Sequence, residues 1–164
     1  MYNKFCKVLV VALTAAMASG IVFSCFVNVP QDHFQVFDLR CENLINPLGI
    51  DVTAPHLSWK MSTDRNGVQQ KAYRILVATD SLLLETGKAD LWNSGKVVSP
   101  ASVMVPYKGK KLPARSCAYW KIGVWDKKSS RPVWSDISSF SVGLLSPTDW
   151  NGAYIGLPRE AGNP

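Results

Sequence analysis

Residues 119–126 read Tyr119-Trp120-Lys121-Ile122-Gly123-Val124-Trp125-Asp126. Trp120, Ile122 and Val124 fall on one face of an extended chain, and Tyr119, Lys121, Gly123 and Trp125 on the other. Aromatic and β-branched residues of this kind suit a pleated, half-buried surface. Extending the parity backward puts Ala118, not Cys117, on the buried side. The same period of two recurs on either side of this run. Leu57, Trp59 and Met61 alternate with Ser58, Lys60 and Ser62. Tyr73, Ile75 and Val77 alternate with Arg74, Leu76 and Ala78, and Leu39 and Cys41 alternate with Arg40 and Glu42. A last run over residues 139–143 points Phe140 and Val142 inward.

Breaks separate these runs. Asn46-Pro47-Leu48-Gly49 and Pro55 end one and start the next. Asp64-Arg65-Asn66-Gly67 has turn chemistry, because Asn-Gly tolerates positive φ. Residues 91–97 read as an edge strand kinked at Gly95, and 102–105 as a strand stopped by Pro106. Lys108-Gly109-Lys110-Lys111 and Lys127-Lys128-Ser129-Ser130-Arg131-Pro132 are solvated loops. One short helix interrupts the pattern: Asp80 caps residues 81–86 and Gly87 ends them in the left-handed conformation. About seven short strands spaced by turns over residues 37–143 specify an all-β fold, an immunoglobulin-like or fibronectin type III-like sandwich. Its expected core includes Trp59, Tyr73, Trp120 and Phe140.

The whole chain has 164 residues, 47% hydrophobic and 18% charged, with six Trp and ten Pro. That is one domain with accessory segments, too short for a multidomain enzyme and too apolar for wholesale disorder. The formal charge is +6, and removing Lys4 and Lys7 leaves 16 basic against 12 acidic residues, a net of +4. A balance that small gives no reason to expect a nucleic-acid partner.

The N-terminus bears on compartment. Lys4 and Lys7 precede the apolar run VLVVALTAAMA over residues 8–18, and no charge follows until Asp32. Residues 1–24 therefore read as a signal peptide and the chain as exported, periplasmic or at the cell surface. Two processing routes fit: cleavage after the small-x-small triplet Ala16-Met17-Ala18, or a lipobox at Val22-Phe23-Ser24-Cys25 that makes Cys25 a lipidated first residue. Lipid at Cys25 would be the membrane contact. The uncharged stretch 8–27 is also just long enough to span as a permanent anchor. Residues 25–36 follow as a tether. Of the four cysteines, Cys41 and Cys117 lie in the body, and their parities place them on different sides, against pairing.

Chemistry is sparse. The carboxylates, Asp38, Glu42, Asp51, Asp64, Asp80, Asp90, Asp126, Asp136 and Asp149 among them, are scattered over turns and strand ends. His33 and His56 read as loop residues, no serine sits in a nucleophile elbow, and no Cys/His spacing suggests a metal. No catalytic residue, metal ligand or cofactor is expected. The basic loops at 108–111 and 127–131 read as solubilising charge rather than as a polysaccharide patch. Exposed-parity Trp125, with Trp92 and Trp134, would either stack on a sugar ring or pack against a neighbouring domain; a chain continuing into more domains favours the second. After Gly143 the character changes, and residues 144–164 read as the opening of a truncated second β domain.

Several runs resemble the start of bacterial α-L-rhamnosidases. They are Leu39-Arg40-Cys41-Glu42-Asn43-Leu44 with Asn46-Pro47-Leu48-Gly49-Ile50-Asp51, then Pro55-His56-Leu57-Ser58-Trp59 and Gln70-Lys71-Ala72-Tyr73-Arg74-Ile75-Leu76-Val77-Ala78. Asp90-Leu91-Trp92-Asn93-Ser94-Gly95-Lys96-Val97 and residues 119–126 complete the set. The resemblance covers about residues 37–156 in order. It implies an N-terminal fibronectin-like sandwich, with residues 144–156 joining it to a second β-sandwich linked with substrate binding. It places the (α/α)₆ barrel, whose acidic residues remove terminal rhamnose with inversion, far downstream. No catalytic residue carries over to this chain. Ala153-Tyr154 stands where Lys-Trp is more usual, which blurs the domain boundary. The resemblance thus implies a non-catalytic accessory module, its partners the downstream domains of one parent enzyme and a rhamnose-containing glycan. A free-standing cell-surface sandwich binding a glycan or protein is the alternative.

Overall fold

The computed structural model of the chain describes residues 34–153 and 155–156. The signal segment, Cys25, His33 and most of the tether lie outside the described residues. In chain order the elements are β1 (Gln35–Cys41), β2 (His56–Ser62), β3 (Gln70–Ala78), the helix α1 (Ser81–Glu85), β4 (Trp92–Asn93), β5 (Val105–Pro106), β6 (Cys117–Asp126), β7 (Val133–Trp134) and β8 (Ser138–Ser141). A single 3-10 turn follows at Pro147–Asp149.

The run that decides the fold is the axis of the larger sheet. β6 pairs antiparallel with β3 along one edge, from Gln70↔Asp126 to Ala78↔Tyr119. Along its other edge lie β7 at Gly123 and Val124, and β8 at residues 117–120, end to end. β4 closes the far side of β3. The smaller sheet has the order β1-β2-β5. With β7 and β8 occupying one strand position, the two sheets hold the expected seven.

The period of two fills the space between the sheets. Leu57 and Trp59 from the smaller sheet meet Tyr73, Ile75, Val77, Ala118, Trp120, Ile122, Val124 and Phe140 from the larger in one apolar cluster. Large aromatics contribute heavily here, about 1.5–3 kcal/mol for each fully buried large side chain. Trp59 sits edge-on to Tyr73, with ring centroids 5.2 Å apart. Its indole N–H donates to Gln70 Oε1 at 3.0 Å, and Gln70 Nε2 donates in turn to the carbonyls of Ser99 and Ala101. Gln70 thus satisfies a buried indole and fixes the 99–101 loop. Cys41 is buried in the core and Cys117 is exposed, both as free thiols.

Some local features depart from strict alternation. β1 begins two residues upstream of the expected boundary, and Phe34 and Val36 are already buried. Its register shifts between Phe37 and Arg40, where Asp38 adopts φ +49°. Such a bulge turns the strand while keeping Leu39 and Cys41 inward. Lys60 Nζ, at 2.7 Å, and Arg40 Nε, at 2.9 Å, hold the Asp38 carboxyl below the ordinary carboxylate range. The 102–105 run makes a strand only at its end: Met104 takes φ +53°, and its N–H donates to Ser58 Oγ instead of to a ladder. His56 opens β2 rather than lying in a loop, its Nδ1 3.1 Å from Glu42 Oε1.

The helix forms as its caps dictate. Asp80 accepts from the N–H of Leu82 at 2.9 Å, and Gly87, at φ +75°, donates to Leu84 O. Its consequence for the sheet is larger. Leu84 covers Leu76 and Ala78, which alternation had assigned to the solvent side, and builds a second small core on the outer face of β3.

Candidate binding face

α1 covers only one end of that outer face, the end marked by Leu76, Ala78 and Tyr119. The rest is set by pairing. In antiparallel pairs, opposed residues share a face. Gly123 opposes Arg74 on β3 and Trp134 on β7, so all three look outward. Trp125 opposes Ala72, and Lys121 opposes Leu76, on the same side. Arg74, Lys121, Trp125 and Trp134 therefore converge, and Lys96, exposed just beyond Gly95, reaches over from the β4 side.

Two cation–aromatic contacts organise these groups. Lys96 Nζ lies 4.6 Å from the Trp125 ring centroid, and Lys121 Nζ lies 5.0 Å from that of Trp134. Each is worth about 0.5–1 kcal/mol at an exposed site. Trp134 rests on Gly123: a Cβ there would come within 3.1 Å of both the indole ring and Pro132. Arg74 Nε donates to Asn93 Oδ1 at 3.0 Å, which orients the guanidinium. Burial pushes the Lys121 ammonium below its ordinary value, and the Glu85 carboxylate opposes that shift.

The structure separates the three tryptophans singled out from sequence. Trp134 is 37% exposed, a usable ring surface. Trp125 is only 7% exposed, against the exposure its parity implied. Lys96 lies over its ring, and its N–H donates back to Ser130 O in the 127–132 loop at 3.2 Å. Trp92 is on the other side altogether. It opposes Val77, an inward residue, packs against the main core, and meets Tyr107 edge-on at 5.2 Å. The loop carrying Lys108, Lys110 and Lys111 is closed down on this pair, since a Cβ on Gly109 would meet Tyr107 and Trp92 at about 2.5 Å.

Among the described carboxylates, Asp38, Glu42, Asp80, Asp90, Asp126 and Asp149 have structural partners within the fold. Asp126 is 3% exposed, binds Arg65 Nη2 at 2.7 Å and accepts the N–H groups of Lys128 and Ser129. Burial pushes this carboxyl up, but the Ser129 and Arg65 hydrogen bonds outweigh it and bring it down to about 2. It is a loop anchor joining the 64–67 turn to the 127–132 loop. Among the described residues no group of three His, Cys, Asp or Glu could hold a metal ion.

At the C-terminal end, Ser146 and Asp149 form a capping box around the 3-10 turn, and Arg115 donates to the carbonyl of Asp149. Leu144, Trp150 and Ile155 are exposed along this segment.

Sequence alone placed Lys121 and Trp125 on one face. It named Trp134 as a candidate contact without placing it there, and it missed Arg74; both join this face through the pairing at Gly123. An outward glycine between two strands that each offer a large side chain was the available signal.

Comparison with known proteins places this sandwich. Residues 36–146 match the model of a family described as the Rha78A-like, N-terminal immunoglobulin domain. An α-L-rhamnosidase of Formosa agariphila is 42% identical over 108 residues, 66% of this chain and 11% of that protein. An α-L-rhamnosidase of Streptomyces avermitilis is 38% identical over 117 residues, 71% of this chain and 11% of that protein. The crystal structure of Streptomyces avermitilis α-L-rhamnosidase complexed with L-rhamnose superposes with a TM-score of 0.70 at 37% identity, covering 76% of this chain and 12% of that one. The α-L-rhamnosidase of Dictyoglumus thermophilum gives 0.68 at 33% identity, covering 71% and 13%. The chain thus spans about 11% of the length of these two curated relatives. With residues 36–146 of its sandwich matched, this chain belongs to the Rha78A-like, N-terminal immunoglobulin domain family.

Proposed function

We propose that this chain serves as a non-catalytic N-terminal accessory module of an exported α-L-rhamnosidase, an inverting glycosidase acting on terminal rhamnose. The observation that carries the reading is the coverage: the match to α-L-rhamnosidases is confined to one N-terminal sandwich, about 11% of each curated relative. Site chemistry supports it. Inverting hydrolysis uses two carboxyl groups roughly 6.5–9.5 Å apart around a water. Asp38 and Asp126 are instead spent on ion pairs within the fold. The exposed Leu144, Trp150 and Ile155 suit contact with a downstream domain. The basic start and apolar run of residues 1–24 suit export, with Cys25 as the lipid-bearing residue if the lipobox is used.

The test is peptide mapping of the protein recovered from its own cells with an antibody against residues 34–153. The expected outcome is a larger envelope-associated polypeptide that carries rhamnosidase activity. Recovery of this sandwich in a cytoplasmic protein without such activity refutes the reading, and recovery of a free sandwich at the cell surface supports the stand-alone alternative.

A further inference from the structure

We propose that the open half of the outer sheet face binds a carboxylate-bearing glycan, with Arg74, Lys96 and Lys121 contacting carboxylates and Trp134 stacking on a sugar ring. The choice of a glycan over other anions rests on the accessory-module reading; the choice of an acidic one rests on the face itself. Its three cations have no ion-pair partner among the described residues. The ion pairs of the described residues engage Arg40, His56, Lys60 and Arg65 instead. Glu85, at the end of α1, acts on Lys121 at a distance without meeting it.

Three like charges gathered on one sheet face repel each other, and a fold gains nothing from leaving them unneutralised. The surrounding groups nonetheless hold them in place. Trp125 and Trp134 position the two ammonium groups, and Asn93 takes up Arg74 Nε, leaving its terminal nitrogens without a hydrogen-bond partner among the described residues. A guanidinium fork fixed in this way matches a carboxylate. The ring surface comes from Trp134, which Gly123 supports from beneath. Positioned cations beside a supported indole fit a ligand that presents carboxylates on pyranose rings, the chemistry of uronic acid residues. The lysines of the 127–132 loop lie nearby but meet no aromatic ring, so they serve as an internal control for charge alone.

The experiment titrates the full chain with polygalacturonate and, separately, with the fully methyl-esterified polymer, following tryptophan fluorescence at fixed ionic strength. The inference expects saturable binding of the acid form and about tenfold weaker binding of the ester. Replacing two cations, Lys96→Gln with Lys121→Gln, should weaken acid binding about tenfold, and Trp134→Ala about fivefold. Lys127→Gln with Lys128→Gln removes the same charge and should change binding less than about twofold. Thermal midpoints establish that each variant is folded, and the acid–ester comparison on the unaltered chain decides the matter without them. No binding, equal binding of acid and ester, equal loss in the loop variant, or equal affinity for polyglutamate or duplex DNA overturns the inference. Those outcomes leave the peptide mapping of the parent protein untouched, so failure of the glycan site and failure of the module role are read separately.

Discussion

Replacing Trp59 tests the sandwich at its centre. The side chain is 2% exposed, lies edge-on to Tyr73 and donates to Gln70. Truncation to alanine removes the buried indole and leaves a cavity, a change worth about 3–5 kcal/mol. It also strands Gln70 Oε1, while Gln70 Nε2 remains committed to Ser99 and Ala101. A buried acceptor without its donor costs about 1–3 kcal/mol more, less if water enters the new cavity. The expected loss for Trp59→Ala is therefore about 4–8 kcal/mol, toward the lower end if water enters, enough to bring a domain of ordinary stability near its unfolding threshold. Trp59→Phe keeps most of the ring and loses only the N–H and part of the volume, so about 1–2 kcal/mol is expected. Urea unfolding followed by far-ultraviolet circular dichroism reads both, and the phenylalanine variant stays measurable if the alanine variant does not fold. A loss below about 1 kcal/mol for Trp59→Ala would show that the indole is not in the core and that the β2 register is wrong.

The Asp126 carboxyl titrates near 2 in the folded chain against an ordinary 3.8. Its depressed value means that its stabilisation is present above the unfolded value and is lost as pH falls through about 2. The full shift would correspond to about 2.4 kcal/mol; because Arg65 is partly exposed, Asp126→Asn should lose about 1–2 kcal/mol at neutral pH and flatten the acid limb of a stability–pH curve. Burial pushes the Cys41 thiol up to about 12, while Cys117 is exposed. Alkylation of the native chain followed by peptide mass spectrometry should therefore label Cys117 and spare Cys41 until urea is added. Gly143→Ala places a Cβ 2.9 Å from the Gly49 carbonyl oxygen, where backbone meets backbone, and should cost about 1–3 kcal/mol in thermal unfolding. Mass spectrometry of the mature protein should show loss of the first 18 to 24 residues, with acylation at Cys25 marking the lipoprotein route; an intact Met1 on a membrane-bound chain would exclude cleavage.

What was legible in the sequence follows the physics of alternation. β2, β3 and β6 each bury one face against the facing sheet, so Trp59, Tyr73, Trp120 and Phe140 could be placed by counting in twos. The caps of α1 were equally plain, because Asp80 and Gly87 act within one turn of the chain. Hidden features depended on partners distant in sequence. Leu76 and Ala78 are buried because α1 folds back over their face, an event that strand period alone does not encode. The role of Gln70 depends on the carbonyls of Ser99 and Ala101, about thirty residues away in sequence, to which its Nε2 donates. Trp92 and Trp134 are not distinguished by the sequence, since both lie outside the strongest strands. Pairing sends one inward opposite Val77 and lays the other over Gly123 on the outer face.

The most direct test of the central claim is hydrolysis of a nitrophenyl α-L-rhamnoside by the purified chain. The account expects no nitrophenol release above the uncatalysed rate, since Asp38 and Asp126 hold ion pairs within the sandwich and the remaining described carboxylates lie scattered over turns, loops and helix ends. Binding without a positioned general acid leaves a glycosidic bond intact. Turnover that is abolished by replacing one Asp or Glu of residues 34–153 would contradict the account, because it would place a catalytic carboxylate in the sandwich itself.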